Sequence, residues 1–443
     1  MFYKCIVIFK VYNFASRKSS CCILQIPFSI VQMISIGQHW KNIIKLFYIK
    51  SNFWSQDENK IYLLFPGLIV LSVLVGLLLL SPNLKQLDGV SEQNSTFDYS
   101  QKTSTNRSDT LSEFSLTPTP SPNATEKDLG SMKVIFSFMG DILLDSHVRT
   151  LIDQMGTRHI LSDVKQVLSS SDVSMANFES PISERGIKEN DKLYTFRVKP
   201  QNLKVLTEGG INLVALSNNH ILDFGAEALL DTFSNLKDNN IRYAGAGENI
   251  YAAYAPVYFE IKGVRSAFLS SSHVIPFVAW HAGPNKPGVS STYDPSRILS
   301  EIVKAKSKAD IVVVYLHWGE EKSPMPVSYQ KNLARMYIDK GADIVIGSHP
   351  HVLQGLEFYK GKIIAYSLGN FIFTNQNMET MILNVEIKEK EISKVQIIPC
   401  KIDNFRPVLI RDKSQTIQFF NKLKNISFGV QINSEGIVTS KEK

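Results

Sequence analysis

Residues Lys340 to Phe373 constrain the fold more than any other stretch. An apolar run, Ile344 to Ile346, ends in Gly347-Ser348-His349-Pro350-His351, and a second, Ile363 to Tyr366, ends in Ser367-Leu368-Gly369-Asn370. Short apolar runs bounded by turn residues read as buried strands. Two imidazoles one residue apart at such a strand's end are a common way of presenting ligands to a metal. A lone histidine there is more often a hydrogen-bonded core residue, so the reading requires ligand-type residues at other strand ends.

The rest of the chain supplies them. Apolar runs of strand length occur at Lys133–Met139, Val173–Ala176, Ile211–Leu216, Val264–Leu269 and Ile311–Leu316, with Met381–Ile387 and Val395–Ile398 as closing strands. Helix-period stretches separate several of them: Ile160, Val164, Val167 and Leu168 share one face, as do Leu229, Leu230, Phe233 and Leu236. Tyr329, Leu333, Met336 and Tyr337 form a third, with Gly341 just past its end. Alternating βα order predicts an α/β domain. The strand ends carry Asp141, Glu179, Asn219-His220, His317 and His349 with His351; Asp223, Trp318, Glu320 and Asn370 lie close by in sequence. Singly, Asp141 reads as well as a turn or helix cap, and Asn219 or Asn370 as a loop residue. Jointly, they sit where ligands bind in open α/β sheets, beyond the carboxyl ends of strands. An N/O donor set without thiolates suits Mn, Zn or Fe in a hydrolytic centre.

Charge narrows the partners. The chain carries a net charge of +7, but residues 132–443 hold 36 Lys and Arg against 32 Asp and Glu, a net of +4. With no basic run interleaved with aromatics, nucleic acid is not an expected partner. Residues 1–60 are basic and give no functional reading. The run Ile61–Leu80 has roughly the 20 apolar residues that span a bilayer, and predicts a transmembrane anchor over 61–81. A cleaved signal peptide or a buried helix is the alternative. Positive charge before the run places the N-terminus in the cytoplasm and the C-terminal domain outside the cell. Residues 90–131 turn to Ser, Thr, Asn and Pro and predict a flexible stalk. A globular domain over 132–410 and a less readable tail over 411–443 follow. Only Cys400 of the four cysteines lies after the apolar run, so no disulfide is expected in that domain.

The motifs Gly140-Asp141, Asn177-Phe178-Glu179-Ser180, SNNHILDFG from Ser217, HWGEE from His317, GADIVIGSHPHVLQG from Gly341 and YSLGNFIF from Tyr366 resemble, in this order, the CapA family of capsule and poly-γ-glutamate biosynthesis proteins. The likeness covers roughly Val134 to Phe373. That family resembles the calcineurin-like metallophosphoesterases, which implies a four-layered α/β/β/α sandwich with a two-metal site between the sheets. The resemblance makes Asp141 a first-site carboxylate, Glu179 the bridging carboxylate and Asn219 a second-site amide. It makes His317 and His349 second-site ligands, His351 a first-site ligand, and His220 the residue that stabilises or protonates the leaving oxygen. Asp223, Trp318, Glu320 and Asn370 would surround the ligands or line a substrate pocket. Leu143 stands where phosphoesterases carry a histidine two residues after the first aspartate. One or two divalent ions are therefore expected, with His349 and His351 on different ions. The implied function is a membrane-anchored, extracytoplasmic component of capsule or poly-γ-glutamate synthesis or export. Its implied partners are an anionic polymer or phosphorylated intermediate, and membrane synthase subunits. A free-standing metal-dependent phosphoesterase and a scaffold with a vestigial site are the alternatives.

Overall fold

The computed structural model of the chain describes residues 6–13, 18–25 and 133–441. The apolar run at 61–80 and the stretch at 90–131 lie outside the described residues. Among those described, no helix is long and apolar enough to cross a membrane. Near the N-terminus, β1 (Ile6–Asn13) and β2 (Lys18–Gln25) pair antiparallel, Ile6 opposite Gln25.

From Lys133 onward the chain is a mixed α/β domain built on two sheets. The larger sheet centres on parallel strands β3 (Val134–Ile142), β4 (Val173–Phe178), β5 (Leu213–Ala215) and β6 (Arg242–Ala244). A two-stranded ladder of β7 (Ala246–Gly247) and β10 (Gly288–Val289) lies apart from it. The smaller sheet comprises β8 (Val257–Ile261), β9 (Val264–Ser272), β11 (Ile311–His317), β12 (Ile344–Ser348), β13 (Leu356–Tyr359) and β14 (Lys362–Ala365), ordered β13-β14-β12-β11-β9-β8. The chain then returns to the larger sheet. There β15 (Asn370–Ile372) pairs with β3, and β16 (Glu379–Lys388) and β17 (Glu391–Asp403) form an antiparallel extension. Strands β18 (Arg406–Leu409), β19 (Val430–Ile432) and β20 (Ile437–Ser440) complete it.

Three cores alternate with the two sheets. Phe136, Phe138, Val173, Met175, Phe268, Val313, Tyr315 and Ile346 pack between the sheets. The outer face of the larger sheet packs on α1 (Ser146–Met155), α2 (Thr157–Ile160), α3 (Lys165–Ser169), α4 (Lys204–Gly209) and α5 (Gly225–Asp238). The outer face of the smaller sheet packs on α6 (Ile250–Tyr254), α7 (Ser296–Lys306) and α8 (Ser328–Asp339). All the strands expected from the apolar runs form. The face expected over Ile160–Leu168 breaks into α2 and α3, joined by a turn. Gly341 follows α8 at φ 110°, a conformation open to glycine, and so ends that helix. After Arg411, α9 (Lys413–Asn425) folds Phe419, Phe420 and Leu423 into the inter-sheet core.

Strand alternation decides which residues face the space between the sheets. On β11, Ile311, Val313 and Tyr315 face the inter-sheet core, whereas Val312, Val314 and Leu316 face the helices. His317 therefore continues the inner row and Trp318 the outer one. On β3 the row Val134, Phe136, Phe138 would carry an even-numbered residue inward next. A bulge intervenes: Phe138 pairs with Met175 but Asp141 pairs with Asn177, so three steps on β3 match two on β4. One extra residue flips the faces, and Asp141 turns inward in place of Gly140. The bulge needs a glycine, because a Cβ at Gly140 would lie 1.8 Å from the Gly369 carbonyl oxygen. Gly140→Ala is expected to cost ~3 kcal/mol, at the upper end for overpacking, since the obstruction is backbone. Urea unfolding checks this, and a loss below ~0.5 kcal/mol would show that the strands can part there.

Candidate metal centre

Asp141, Glu179, His317 and His349 converge between the sheets at the carboxyl ends of β3, β4, β11 and β12, all at or below 5% exposure. Glu179 follows β4 on the inner row set by Val173, Met175 and Asn177. The loop after β5 brings Asn219 and His220. The loop after β12 holds His349 at φ 96° and His351 at φ 59°, either side of Pro350. Positive φ at two non-glycine residues stores on the order of 1–3 kcal/mol at each. Such strain persists where surrounding structure fixes it, and here both rings are fixed.

The polar contacts form one network. Asn177 donates to Asp141 Oδ1 at 2.8 Å, and Asn218 donates to Asn177 Oδ1 at 3.0 Å. Asp141 Oδ2 accepts the His349 backbone N–H at 3.2 Å and lies 3.4 Å from His351 Nδ1. His317 Nδ1 is 3.1 Å from Ser348 Oγ, while its Nε2 lies 2.8 Å from Asn219 Oδ1 and 3.1 Å from His349 Nδ1. Asn370 Oδ1 is 2.8 Å from His351 Nδ1. At the centre, Glu179 Oε1 is buried without a hydrogen-bond partner, 3.7 Å from His317 Nε2 and 4.0 Å from His351 Nε2. Glu179, His349 and His351 each aim one donor atom into a space where all three atoms lie within 4.8 Å of one another. Both histidines expected on separate ions thus share Glu179 as a corner.

Burial and neighbouring charge set the protonation. Burial first, then the Asp141 carboxylate, hold the Glu179 carboxyl well above the usual range. His317 and His349 are held neutral: burial pushes His317 well below the ordinary imidazole range and His349 down to about 3. His351 goes the other way. Burial opposes its charge, yet the Glu179 and Asp141 carboxylates and the Asn370 bond outweigh it and raise it to about 10.

A second network adjoins the first. His220 Nδ1 lies 2.7 Å from Asp223 Oδ2, and Asp223 also accepts from Lys192 Nζ at 2.5 Å and the Phe196 N–H at 2.8 Å. Lys192 also donates to the Asn219 carbonyl and sits 5.1 Å from the Trp280 ring centre. The Phe196 ring packs 4.7 Å from His220.

Asp223 and Asn370 accordingly stand beside the expected ligands. Trp318 does not: strand alternation buries it in the outer helix-side core, where its indole N–H donates to the Tyr366 carbonyl at 2.9 Å. Glu320 is exposed and its charge acts on Tyr329, whereas the next residue, Glu321, contributes to the raised carboxyl of Glu179. Leu143 lies in a small apolar cluster with Phe373 and Ile402, and exposed His147 stacks on Phe405. Neither supplies the ligand missing after Asp141. Sequence reading passed over Asn177, Asn218, Lys192 and Ser348. Asn177 and Ser348 sit on inward rows that alternation predicts, but Lys192 lies in a loop without periodicity.

Comparison with known proteins identifies the family. A capsule biosynthesis protein, CapA, of Bacillus anthracis is 33% identical over 285 residues, covering 62% of this chain and 69% of the relative. A PGA biosynthesis protein, CapA, of Bacillus subtilis is 32% identical over 283 residues, covering 63% and 74%. A probable polyglutamine synthesis accessory protein of Mycobacterium tuberculosis is 26% identical over 287 residues, covering 60% and 75%. Residues 135–375, more than half of the chain and all of the polar cluster, match the family described as bacterial capsule synthesis protein PGA_cap, and the chain belongs to that family.

Proposed function

We propose that the protein is a membrane-anchored, extracytoplasmic component of capsule or poly-γ-glutamate synthesis or export, with a metal-dependent hydrolase-like site. The observation that carries the site is the orphaned oxygen of Glu179, buried among three imidazoles. An unpaired buried carboxylate oxygen is costly unless a cation meets it, and neutral His317 and His349 offer lone pairs to the same space. Likeness to relatives named for capsule and PGA biosynthesis supports the polymer role. The apolar run Ile61–Leu80 and the basic segment before it support the anchor and its orientation.

Glu179, His349 and His351 would hold a divalent ion (Mn, Zn or Fe by donor type), with His317 and Asn219 adjoining. When bound, the ion would supply Lewis-acid polarisation to a phosphoryl or carbonyl oxygen. The protein's own part is proton handling and alignment. Asp223 fixes the His220 ring through Nδ1, leaving Nε2 to hold or give a proton, and Lys192 holds the Asp223 carboxylate in place. This His220–Asp223 pair also favours a second reading, a free-standing metal-dependent phosphoesterase. Turnover of phosphomonoesters or diesters by the purified chain, lost in a His317→Ala, His349→Ala double variant, would establish it.

Two outcomes follow from the polymer reading. Replacing the gene with the His317→Ala, His349→Ala double variant is expected to abolish surface polymer; unchanged polymer and cell-wall composition would overturn the role. Metal binding is expected to strengthen as pH rises. Against burial, the Glu179 and Asp141 carboxylates push His351 up to about 10 from the ordinary 6.5, so at neutral pH it holds a proton that an incoming ion must displace. One displaced proton gives roughly tenfold tighter binding per pH unit, read by Mn²⁺ titration calorimetry from pH 6.5 to 8.5. A flat profile would show that the ion does not engage His351.

A further inference from the structure

We infer that a basic cavity linked to the His220–Asp223 network is a subsite for carboxylates of an acidic polymer, an inference that rests on the polymer reading above. The cavity has a volume of about 180 Å³ and is lined by Arg149, Ser183, Glu184, Arg197 and Lys199, three cations against one acid. Two of the cations have no carboxylate partner among the described residues. The Arg197 guanidinium stacks over the Phe224 ring at 4.2 Å and its Nη1 reaches only the carbonyls of Arg185, at 3.3 Å, and Glu184, at 3.5 Å. Exposed Lys199 makes no ion pair. Arg149 shares Asp145 Oδ1 at 3.3 Å with its side chain 41% exposed, so its charge is partly available.

One backbone stretch links the cavity to the His220–Asp223 network. Phe196, whose N–H bonds Asp223 and whose ring lies on His220, is followed directly by Arg197, whose N–H bonds Asp145 Oδ2 at 3.0 Å. Adjacent Cα atoms are ~3.8 Å apart, so Phe196 and Arg197 bring the His220 network and the cavity within reach of one extended polymer. Size selects the mode of binding. Pockets that take whole small molecules measure roughly 300–1,000 Å³, whereas this cavity admits one acidic group of a longer ligand. Arginine's planar fork matches a carboxylate, and an exposed lysine adds a point charge. The subsite would thus set register, spacing the polymer's acidic groups relative to the bond presented at the metal centre.

The test uses the full-length chain in detergent and fluorescein-labelled poly-γ-glutamate, read by anisotropy. Lys199→Glu is expected to weaken binding about tenfold at low salt, an effect that shrinks as salt screens it. Lys199→Arg should retain wild-type affinity. Lys308→Glu, an exposed charge reversal in the turn after α7, should change it less than twofold. Equal affinities for Lys199→Glu and Lys308→Glu would overturn the subsite while leaving the polymer reading intact. A wild-type chain that fails to bind the polymer would overturn both. Polyphosphate of matched charge serves as a second probe, and a larger effect of Lys199→Glu on it than on polyglutamate would overturn the carboxylate assignment.

Discussion

The buried carboxylate of Glu179 is the constraint on which the site depends. It lies where water cannot solvate it, beside a second buried carboxylate, Asp141, and one of its oxygens finds no donor. Two buried acids at such short range cannot both stay ionised without positive charge nearby. The protein brings charge from one direction, through protonated His351, and leaves two neutral imidazoles at the other side. A divalent ion satisfies all of these groups together. Keeping the proton on His351 and placing an ion at Glu179 are two ways of meeting the same electrostatic demand.

Backbone geometry makes this arrangement possible at a cost that the rest of the fold carries. The bulge at Gly140 turns Asp141 inward, and the left-handed turn through His349, Pro350 and His351 points two rings back over the strand ends. Both devices lie where the two sheets approach, and both are held by backbone contacts. Asp141 N–H bonds the Gly369 carbonyl at 2.9 Å, and Asp141 in turn bonds the His349 N–H. One aspartate therefore ties together the bulge, β15 and the histidine turn. Its position suits a residue that organises the site as much as one that binds an ion.

Much of this was legible in the sequence because strand ends in an α/β sheet carry function and because strand parity is strict. The apolar runs located the central strands, and their terminal residues named Asp141, Glu179, His317, His349 and His351. Parity also explains the failure at Trp318, one residue past His317 and hence on the opposite face. Gly347 confirms that assignment from the other side, since a Cβ there would come within 2.3 Å of the Trp318 indole nitrogen. Lys192 was illegible because loop residues follow no period, and its importance arises from tertiary contacts with Asp223 and Trp280. The tail resisted reading because α9 buries only Phe419, Phe420 and Leu423, while its other apolar residue, Ile417, is exposed. Glu321 rather than Glu320 reaches the field of Glu179 through the loop's path, which no pattern in HWGEE specifies.

The central claim is that Glu179 and its histidines form a cation site. Metal content by inductively coupled plasma mass spectrometry tests it most directly, on the full-length chain purified without chelator and compared with Glu179→Gln and His349→Ala. The account predicts stoichiometric Mn, Zn or Fe in the wild-type chain and its loss from both variants, with circular dichroism unchanged. A metal-free wild-type chain, or variants that retain the full complement, would contradict it.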